Sequence, residues 1–303
     1  MKLSVIIPTH NPRMDYFERV IQALANQTLH SQLWELIIVD NASEIPLTSS
    51  LKYPLSREAT IVREERAGLS YARAAGFRES SGDVLIFCDD DNILSPHYLA
   101  TAMEVMEFRS EIGACGGIIE PSFEAKPLKW ALPHLGSLAL RNLGNSECFV
   151  GGEDALKKYP AIAPLGAGMV IRRACFASYE KWRAMTGSAA IGRQGRSLSS
   201  CEECDLLVAG VFHEKYGVSY DPRLQIQHLI PKGRLRFNYL VRLIHEGAIS
   251  WSQFLIRHNY ETSIPKWTVP IRTTRAFFRC RGWSRSGYLS WRKASGYFKG
   301  RAA

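Results

Sequence analysis

The fold is decided first by the stretch Ser4-Val5-Ile6-Ile7-Pro8-Thr9-His10-Asn11, an apolar run that ends in polar residues. Residues 15–26 follow with apolar side chains at the three- and four-residue spacing of a helix face. A second apolar run, Leu36–Asp40, also ends in a polar residue. This alternation of buried strand and amphipathic helix predicts an α/β domain around a mostly parallel sheet with flanking helices.

The same alternation continues along the chain. It predicts strands at Thr60–Arg63, Asp83–Cys88, Ile112–Ile119, Gly168–Arg172 and Gly217–His228. It predicts helices at Gly68–Arg78, Ser95–Phe108, Cys204–Tyr216 and Phe237–Ile256, the second of them with Ser95 as N-cap and Pro96 as its first residue. Residues 121–166 contain several prolines and glycines and predict a loop-rich insertion of functional character.

The charge of the chain is concentrated at its end. The 303 residues carry a formal charge of +9, with 38 Lys or Arg against 29 Asp or Glu. From Thr262 onward there are ten Lys or Arg and no acid, which leaves 28 basic and 29 acidic groups in the first 261 residues. We therefore expect a catalytic domain over residues 1–235 and a helical, basic and aromatic extension over 236–303.

No run of about 18 apolar residues predicts a transmembrane helix, and the first apolar run is too short for a secretion signal. These observations predict a cytoplasmic protein. The seven cysteines are scattered, and Cys201-x-x-Cys204 lacks a second ligand pair for zinc. A structural role is favoured for these thiols over a redox or metal-binding role.

Polar residues follow the predicted strands at the edge where an open α/β sheet binds its ligands. They are Thr9-His10-Asn11, Asp40-Asn41 and Asp89-Asp90-Asp91-Asn92. The glycine-rich phosphate loops of dinucleotide-binding proteins and of P-loop proteins are both missing from the sequence. The sequence therefore lacks both of these known ways of holding phosphate.

Three consecutive aspartates after a buried strand repel one another unless a cation lies among them. Hard carboxylate oxygens suit Mg²⁺ or Mn²⁺, and Mg²⁺ usually completes its shell with substrate phosphates and water. A solvated acidic turn that caps the following helix is the alternative. The position of Asp89, Asp90 and Asp91 favours a metal–phosphate site.

The motifs together resemble the inverting family 2 glycosyltransferases of GT-A (Rossmann-like) fold. The resemblance covers about residues 1–235 and depends on the order and spacing of six segments. These are residues 4–11, Gln27-Thr28, 37–43, Gly68-Leu69-Ser70-Tyr71-Ala72-Arg73, Gly82-Asp83 and Phe87-Cys88-Asp89-Asp90-Asp91.

The resemblance implies a nucleotide-sugar donor and a Mn²⁺ or Mg²⁺ cofactor. Asp89 and Asp91 match the ends of the family's D-x-D motif and would meet the donor diphosphate through the metal, while Asp40 and Thr9 would line the pocket for the base. The predicted donor-binding residues are Pro8, Thr9, Asn11, Asp40, Asn41, Arg73, Asp89, Asp90, Lys232 and Arg234. Ala74 departs from the family pattern, which often has Asn at this position. The glycines of Gly166-Ala167-Gly168 resemble a segment that lies under the donor sugar or the acceptor.

The segment Cys201-Glu202-Glu203-Cys204-Asp205-Leu206 resembles the family's E-D-x-D-L motif, in which the second acid is the general base. Glu203 replaces Asp at that position, so its carboxylate is one methylene further from the backbone. The resemblance favours Glu203 as the catalytic base, with Glu202 and Asp205 as the next candidates. Acids that only favour the positive end of a helix are the alternative.

The segment from Ile226 to Arg234 resembles a region in which a histidine at a strand end approaches the metal. His228 is therefore a predicted metal ligand beside Asp89 and Asp91, and Lys232 or Arg234 would contact phosphate. A purely structural histidine is the alternative.

Two other functions stay open at this stage. A metal-dependent nucleotidyltransferase would need a glycine- and cation-rich loop after the first strand, and residues 9–13 contain no glycine. A non-catalytic protein could bind nucleic acid or a membrane through the aromatic and basic tail. We favour a transferase with a glycan or lipid-linked acceptor, chosen by the 121–166 insertion. The 262–303 tail would dock on an anionic membrane at its cytoplasmic face, and nucleic acid is the less favoured partner.

Overall fold

The computed structural model describes residues 1–47, 59–187, 198 and 200–302. These residues form two compact units. The described residues of the first unit fall within 1–122, 141–190 and 206–229, and those of the second within 123–140, 191–205 and 230–303. The predicted domain boundary at residue 235 stays a prediction. Part of the 121–166 insertion and part of the acidic segment around Glu203 belong to the same unit as the C-terminal residues.

The first unit is built on one mixed sheet. Its strands follow the order β3-β2-β1-β4-β8-β6-β9-β5, and β7 pairs with β9. Their bounds are β1 Leu3–Thr9, β2 Trp34–Asn41, β3 Thr60–Glu64, β4 Val84–Phe87, β5 Asn92–Leu94, β6 Ile112–Phe123, β7 Cys148–Val150, β8 Val170–Arg172 and β9 Gly217–Ile230.

The first half of this sheet is parallel. β1 lies between β2 and β4 and is parallel to both, and β2 is parallel to β3. β1 is buried over its whole length, which explains its unbroken apolar run. The register pairs Thr9 with Asp40, so the polar residues that end β1 and β2 lie side by side.

The strand pairs of the second half of the sheet are antiparallel where their register is described. β8 is antiparallel to β4 and β6, and β5 and β7 are antiparallel to β9. The predicted α/β fold is confirmed, with parallel pairing among β1–β4 and antiparallel pairing of β8 with β4 and β6 and of β9 with β5 and β7. Short buried runs show the same apolar pattern in either direction, so the sequence could not reveal this difference.

Helices cover the sheet of the first unit. They are α1 Met14–Ala25, α2 Leu69–Glu79, α3 Tyr98–Phe108, α4 Gly152–Lys157 and α5 Arg173–Thr186. α2 packs so closely on β1 that a Cβ on Gly76 would lie 2.3 Å from Cγ2 of Ile6. This close approach explains a glycine in the middle of a helix.

The predicted cap of α3 is wrong. The helix begins at Tyr98 rather than at Pro96, and its N-cap residue is His97. The amide of Gln27 supplies the cap instead, because its Oε1 accepts from the Leu99 N–H at 3.0 Å and its Nε2 donates to the Ser95 carbonyl at 2.8 Å. A residue about 70 positions away thus satisfies the open helix end.

The second unit is helical. It contains the short helix α6 Glu202–Leu206, α7 Phe237–Arg257, α8 Thr268–Arg279 and α9 Arg285–Gly300. In place of the single helix predicted over 204–216, α6 is followed in the first unit by a π-helical turn over Leu207–Phe212. The core of the second unit includes Ile230, Leu240, Leu243, Ile244 and Leu289.

Candidate functional site

The strand ends of the first unit bring polar side chains together. Thr9 is buried, and its hydroxyl donates a hydrogen bond to Oδ2 of Asp90. Pro8, one residue earlier in β1, is also buried. The loop after β4 therefore meets the end of β1, as expected for residues that follow neighbouring parallel strands.

Asp40 is buried at the end of β2, and its carboxylate accepts several hydrogen bonds. It accepts from the Leu47 N–H at 3.0 Å, from the Ser43 N–H at 3.1 Å and from Nη1 of Arg63 at 2.8 Å. Burial raises the pKa of the Asp40 carboxyl, but these hydrogen bonds outweigh it and keep the pKa below its ordinary value. The carboxylate anchors the loop after β2, and its predicted contact with a nucleotide base stays a prediction.

Asn11 connects the loops after β1 and β2. Its N–H donates to Oγ of Ser43 at 2.8 Å, and its Oδ1 accepts from the Glu44 N–H at 2.9 Å. Its φ of 49° lies in the left-handed region, which asparagine tolerates better than most residues. The loop that follows β1 is therefore held in one conformation.

The Asn41 side chain similarly fixes the loop that leads into α2. Its Nδ2 donates to the carbonyls of Glu64 and Arg66 at 3.1 and 2.8 Å, and its Oδ1 accepts from the Gly68 N–H at 2.7 Å. The side chain is buried. Asn41 fixes the loop before α2, and its predicted donor contact stays a prediction.

Asp91 and His228 lie together although 137 positions separate them. The ladder between β5 and β9 pairs Asn92 with His228, and the Leu229 N–H donates to the Asp91 carbonyl at 2.8 Å. This pairing places Oδ2 of Asp91 3.5 Å from Nε2 of His228. Both side chains are largely buried. Thr9, Asp90, Asp91 and His228 are called the strand-end cluster below.

Asp89 is half-buried at the start of the same loop, and the Asn92 N–H donates to its carbonyl at 3.1 Å. Burial, followed by the charges of Asp89, Asp91 and Asp90, raises the pKa of the Cys88 thiol well above its ordinary value. Cys88 therefore remains a neutral thiol beneath the acidic loop.

Arg73 belongs to the same region of the first unit. It is buried on α2, its guanidinium carbon lies 5.1 Å from the Phe87 ring centroid, and its Nη2 lies 3.5 Å from the Gly166 carbonyl oxygen. Nearby, Tyr98 donates to the Gly168 carbonyl at 2.5 Å. Gly168 has a φ of +71°, and a Cβ there would lie 2.0 Å from Cδ1 of Ile226. The predicted small-residue segment is thus packed tightly under this part of the sheet.

Two of the three predicted metal ligands, Asp91 and His228, lie close to each other, and their role as ligands stays a prediction. Oδ2 of Asp91 and Nε2 of His228 are close enough to share one small cation, given metal–ligand bonds of about 2.0–2.2 Å. Within the described residues, no group of three His, Cys, Asp or Glu side chains is arranged to hold a metal by itself. An incomplete protein shell fits a cation that takes its remaining ligands from substrate phosphates and water.

The three acids of α6 differ in their surroundings within the second unit. Asp205 is 1% exposed, and Nη1 of Arg257 lies 2.6 Å from both of its oxygens. Nε2 of His258 lies 2.7 Å from Oδ1 of the same carboxylate. Asp205 therefore ties α6 to the end of α7 and is the least accessible candidate for a base.

Glu202 is also buried, whereas Glu203 is half-exposed. In the described part of the chain, the carboxylate of Glu203 makes no hydrogen bond or ion pair. A base must be free to approach an acceptor hydroxyl. Glu203 meets this requirement best among the three acids.

Lys232 and Arg234 lie in a short 3₁₀ turn, Lys232–Leu235, directly after β9. The Lys232 N–H donates to Oε2 of Glu124 at 2.8 Å, and the Lys232 side chain is exposed. Both cations belong to the second unit, as do the acids of α6. Their phosphate contacts stay predictions.

Sequence reasoning missed the residues that hold this machinery in place. Gln27 caps α3, Arg63 pairs with Asp40, and Arg257 and His258 bind Asp205. Gln27 belongs to a motif that the sequence analysis identified, but the sequence did not show that its side chain caps α3. The described part of the first unit also has a cleft of about 450 Å³ between α3, β7 and β9, and its lining contains none of the predicted site residues.

Comparison with known proteins identifies the architecture. The sequence model of glycosyl transferase family 2 matches residues 4–178, more than half of the chain. Crystal structures of S. aureus TarS share the fold, with a TM-score of 0.55 and 13% identity for its complex with UDP-GlcNAc. That match covers 99% of this chain and 90% of the TarS chain.

Curated relatives match over shorter stretches. The Bacillus subtilis glycosyltransferase YwdF is 32% identical over 126 residues, which are 42% of this chain and 45% of the relative. A dolichol-phosphate mannosyltransferase of Pyrococcus furiosus is 32% identical over 169 residues, 52% of this chain and 47% of the relative. The chain thus spans less than half the length of these relatives.

Proposed function

Because this chain belongs to glycosyl transferase family 2, we propose that it moves a sugar from a nucleoside diphosphate sugar to an acceptor hydroxyl with inversion at the anomeric carbon. The observation that carries the proposal is the strand-end cluster. Thr9, Asp90, Asp91 and His228 come from three separate parts of the sequence and meet at one edge of the sheet. Ligands of open α/β sheets bind at this edge.

The donor diphosphate is the group that this edge would receive. Asp89, Asp91 and His228 are the residues that would hold Mn²⁺ or Mg²⁺, and such an ion would neutralise charge that develops on the leaving diphosphate. Hydrogen bonds of Asn11 and Asn41 hold the loops next to the ends of β1 and β2. Preorganised polar groups of this kind cost no rearrangement during the reaction.

Glu203 is the proposed base that removes the proton from the acceptor hydroxyl. Its carboxylate is half-exposed, while Asp205 is held by Arg257 and His258. Asp205 is therefore assigned to positioning α6 rather than to proton transfer. The extra methylene of Glu203 relative to Asp extends the reach of the carboxylate from the helix.

The acceptor is proposed to be a glycan or a lipid-linked molecule. The name of the Pyrococcus relative refers to a lipid phosphate, and the 262–303 tail carries the excess positive charge of this chain. The insertion at 121–166 is the proposed source of acceptor choice. Lys232 and Arg234 are proposed to contact phosphate, and the tail to bring the enzyme to an anionic membrane.

The test is a product assay with a panel of UDP-, GDP- and dTDP-sugars, a mixture of lipid-linked acceptors, and Mn²⁺ or Mg²⁺. Release of one nucleoside diphosphate together with a glycosylated acceptor of inverted configuration is expected. Formation of a nucleoside triphosphate and a sugar 1-phosphate from pyrophosphate would instead identify a nucleotidyltransferase. Absence of turnover with every donor, in protein that is folded, would contradict the proposal.

A further inference from the structure

The helix α8 has one face that is solvent-exposed among the described residues of the second unit. Its inner side is held by α9, where Nε1 of Trp291 donates to the Thr273 carbonyl at 3.1 Å and Phe277 packs edge-on against the Trp291 ring. Ala276 is buried on this side. These contacts hold α8 against α9 in one orientation, so the residues on its outer face have fixed positions.

Large apolar side chains stand on that outer face. Trp267, Ile271 and Phe278 are 73%, 46% and 64% exposed. Their spacing of four and seven residues puts them in one narrow stripe along the helix. These three residues are called the tail ridge. Trp283, in the turn between α8 and α9, is 69% exposed as well.

The arginines of α8 lie along one side of the tail ridge, given about 100° of rotation per residue. Five exposed cations of this segment are Lys266, Arg272, Arg275, Arg279 and Arg281, and no acid occurs after residue 261. An apolar stripe on one face with Lys or Arg on the polar face is the pattern of a helix that lies in the interface of an anionic bilayer. Tryptophan favours the same depth, between headgroups and acyl chains.

Nucleic acid fits this surface less well. Most aromatic rings of the tail that could stack on bases pack among the helices, including Phe277, Tyr288 and Trp291. Ile271, at the centre of the tail ridge, has no ring on which a base could stack. None of the described helices is long and apolar enough to cross a membrane.

We propose that the tail ridge, together with its adjacent cations, is a docking surface that inserts into an anionic lipid membrane. This docking proposal rests on the proposed function in one respect: docking would bring the enzyme to a lipid-linked acceptor. Shallow insertion of the ridge would be supported by electrostatic attraction between these cations and anionic headgroups. The surface is part of a folded unit, so point substitutions test it better than removal of the tail, which would uncover the core around Leu289.

The experiment is co-sedimentation of the full chain with vesicles of phosphatidylcholine alone or of phosphatidylcholine with one-third phosphatidylglycerol. The ridge variant carries Trp267→Ser, Ile271→Ser and Phe278→Ser. The control variant carries Phe108→Ser and Met185→Ser, which are 77% and 87% exposed in the first unit. Melting curves are expected to be unchanged in both variants, because all five side chains are exposed.

The original chain and the control are expected to bind anionic vesicles, and the ridge variant to lose at least about tenfold in partitioning because its inserted apolar area is gone. Binding to anionic vesicles is also expected to fall as salt is raised. Equal partitioning of the ridge variant and the control would overturn the proposal, as would binding to single-stranded RNA without binding to vesicles. Nucleotide-induced stabilisation in lipid-free buffer is measured on the same variants, so failure of docking is distinguishable from failure of the proposed activity.

Discussion

The strand-end cluster and the acidic helix α6 both gather carboxylates, but they hold them in different ways. At the strand ends, Asp90 binds a neighbouring hydroxyl and Asp91 faces a histidine, so the acids face other polar groups of a sheet edge. In α6, Asp205 pairs with Arg257 and lies within hydrogen-bond distance of His258, whereas Glu203 is half-exposed. The first arrangement could hold a cation together with phosphate groups. The second leaves one carboxylate, that of Glu203, accessible to accept a proton.

Acids that are neighbours in the sequence can therefore have very different exposure and partners. Glu203 and Asp205 are two positions apart on one short helix, yet one is half-exposed and the other is 1% exposed. Burial with a cation makes an acid a structural anchor. Exposure toward a substrate leaves an acid available for proton transfer.

The largest expected effect separates these two roles by replacing the proposed base. Glu203→Gln is expected to lower the transfer rate by about 10²–10⁴-fold, which is the usual contribution of a general base. Nucleotide affinity should be unchanged, because the proposed donor site is the strand-end cluster and does not include Glu203. The measurement is steady-state kinetics beside nucleotide titration.

A matched control is Glu153→Gln, an exposed acid in the first turn of another short helix, α4. It removes the same interaction with a helix end without touching the proposed base. Equal activity of the Glu203→Gln variant and the control would remove Glu203 from the mechanism.

A smaller effect is expected on stability when the anchor of Asp205 is broken. Arg257→Met removes the guanidinium that pairs with a buried carboxylate, and we expect a loss of about 2–3 kcal/mol in the free energy of unfolding. Arg257 is one-third exposed, which keeps the loss below that of a fully buried pair. Urea denaturation measures it.

Arg242→Met provides the comparison on the same helix. Arg242 lies 3.4 Å from Glu246 in an exposed i,i+4 pair, which contributes about 0.3–0.5 kcal/mol. If both substitutions cost the same, Asp205 does not anchor α6 through Arg257.

The smallest expected effect is a difference between the two units in their response to acid. In the first unit, burial raises the pKa of Glu35, but hydrogen bonds from Ser4, Ser81 and Lys2 lower it to about 2. In the second unit, burial lowers the pKa of His134 and His245 from the ordinary 6.5. In each case the folded state holds fewer protons than the unfolded chain in the window between the two pKa values, so stability falls as the pH falls.

The windows differ. The histidines of the second unit begin to cost stability below pH 6.5, whereas the Glu35 contribution is complete above pH 4.5 and is lost toward pH 2. Amide hydrogen exchange corrected for intrinsic rates should show loss of protection in α7 and α9 at a higher pH than in β1 and β2. Simultaneous loss in both units would contradict this assignment.

The sequence predicted local elements well and long-range partners poorly. The strand-end acids were found because each follows an apolar run that ends abruptly, and the family resemblance supplied their roles. The cap of α3 was misassigned because Ser95-Pro96 has the composition of a helix start, while the Gln27 amide fills that place. No local pattern could reveal that amide.

The partners of the acids show the same limit. His228 was proposed as a metal ligand from resemblance, but its position beside Asp91 depends on the pairing of β5 with β9. Arg257 and His258 lie at the end of a helix whose sequence gives no sign of a buried acid nearby. The separation of Glu203 from Asp205 by role therefore required the tertiary structure.

The most direct test of the account is thermal unfolding with UDP, GDP, dTDP or CMP, each with and without Mn²⁺, for the original chain and for Asp91→Asn. A nucleotide present at 100 times its dissociation constant adds about 2.7 kcal/mol to stability, which raises the midpoint by several degrees. The account predicts a metal-dependent rise with one nucleoside diphosphate that is lost in Asp91→Asn. No rise with any nucleotide, or an equal rise in the variant, would contradict a nucleotide–metal site at the strand-end cluster.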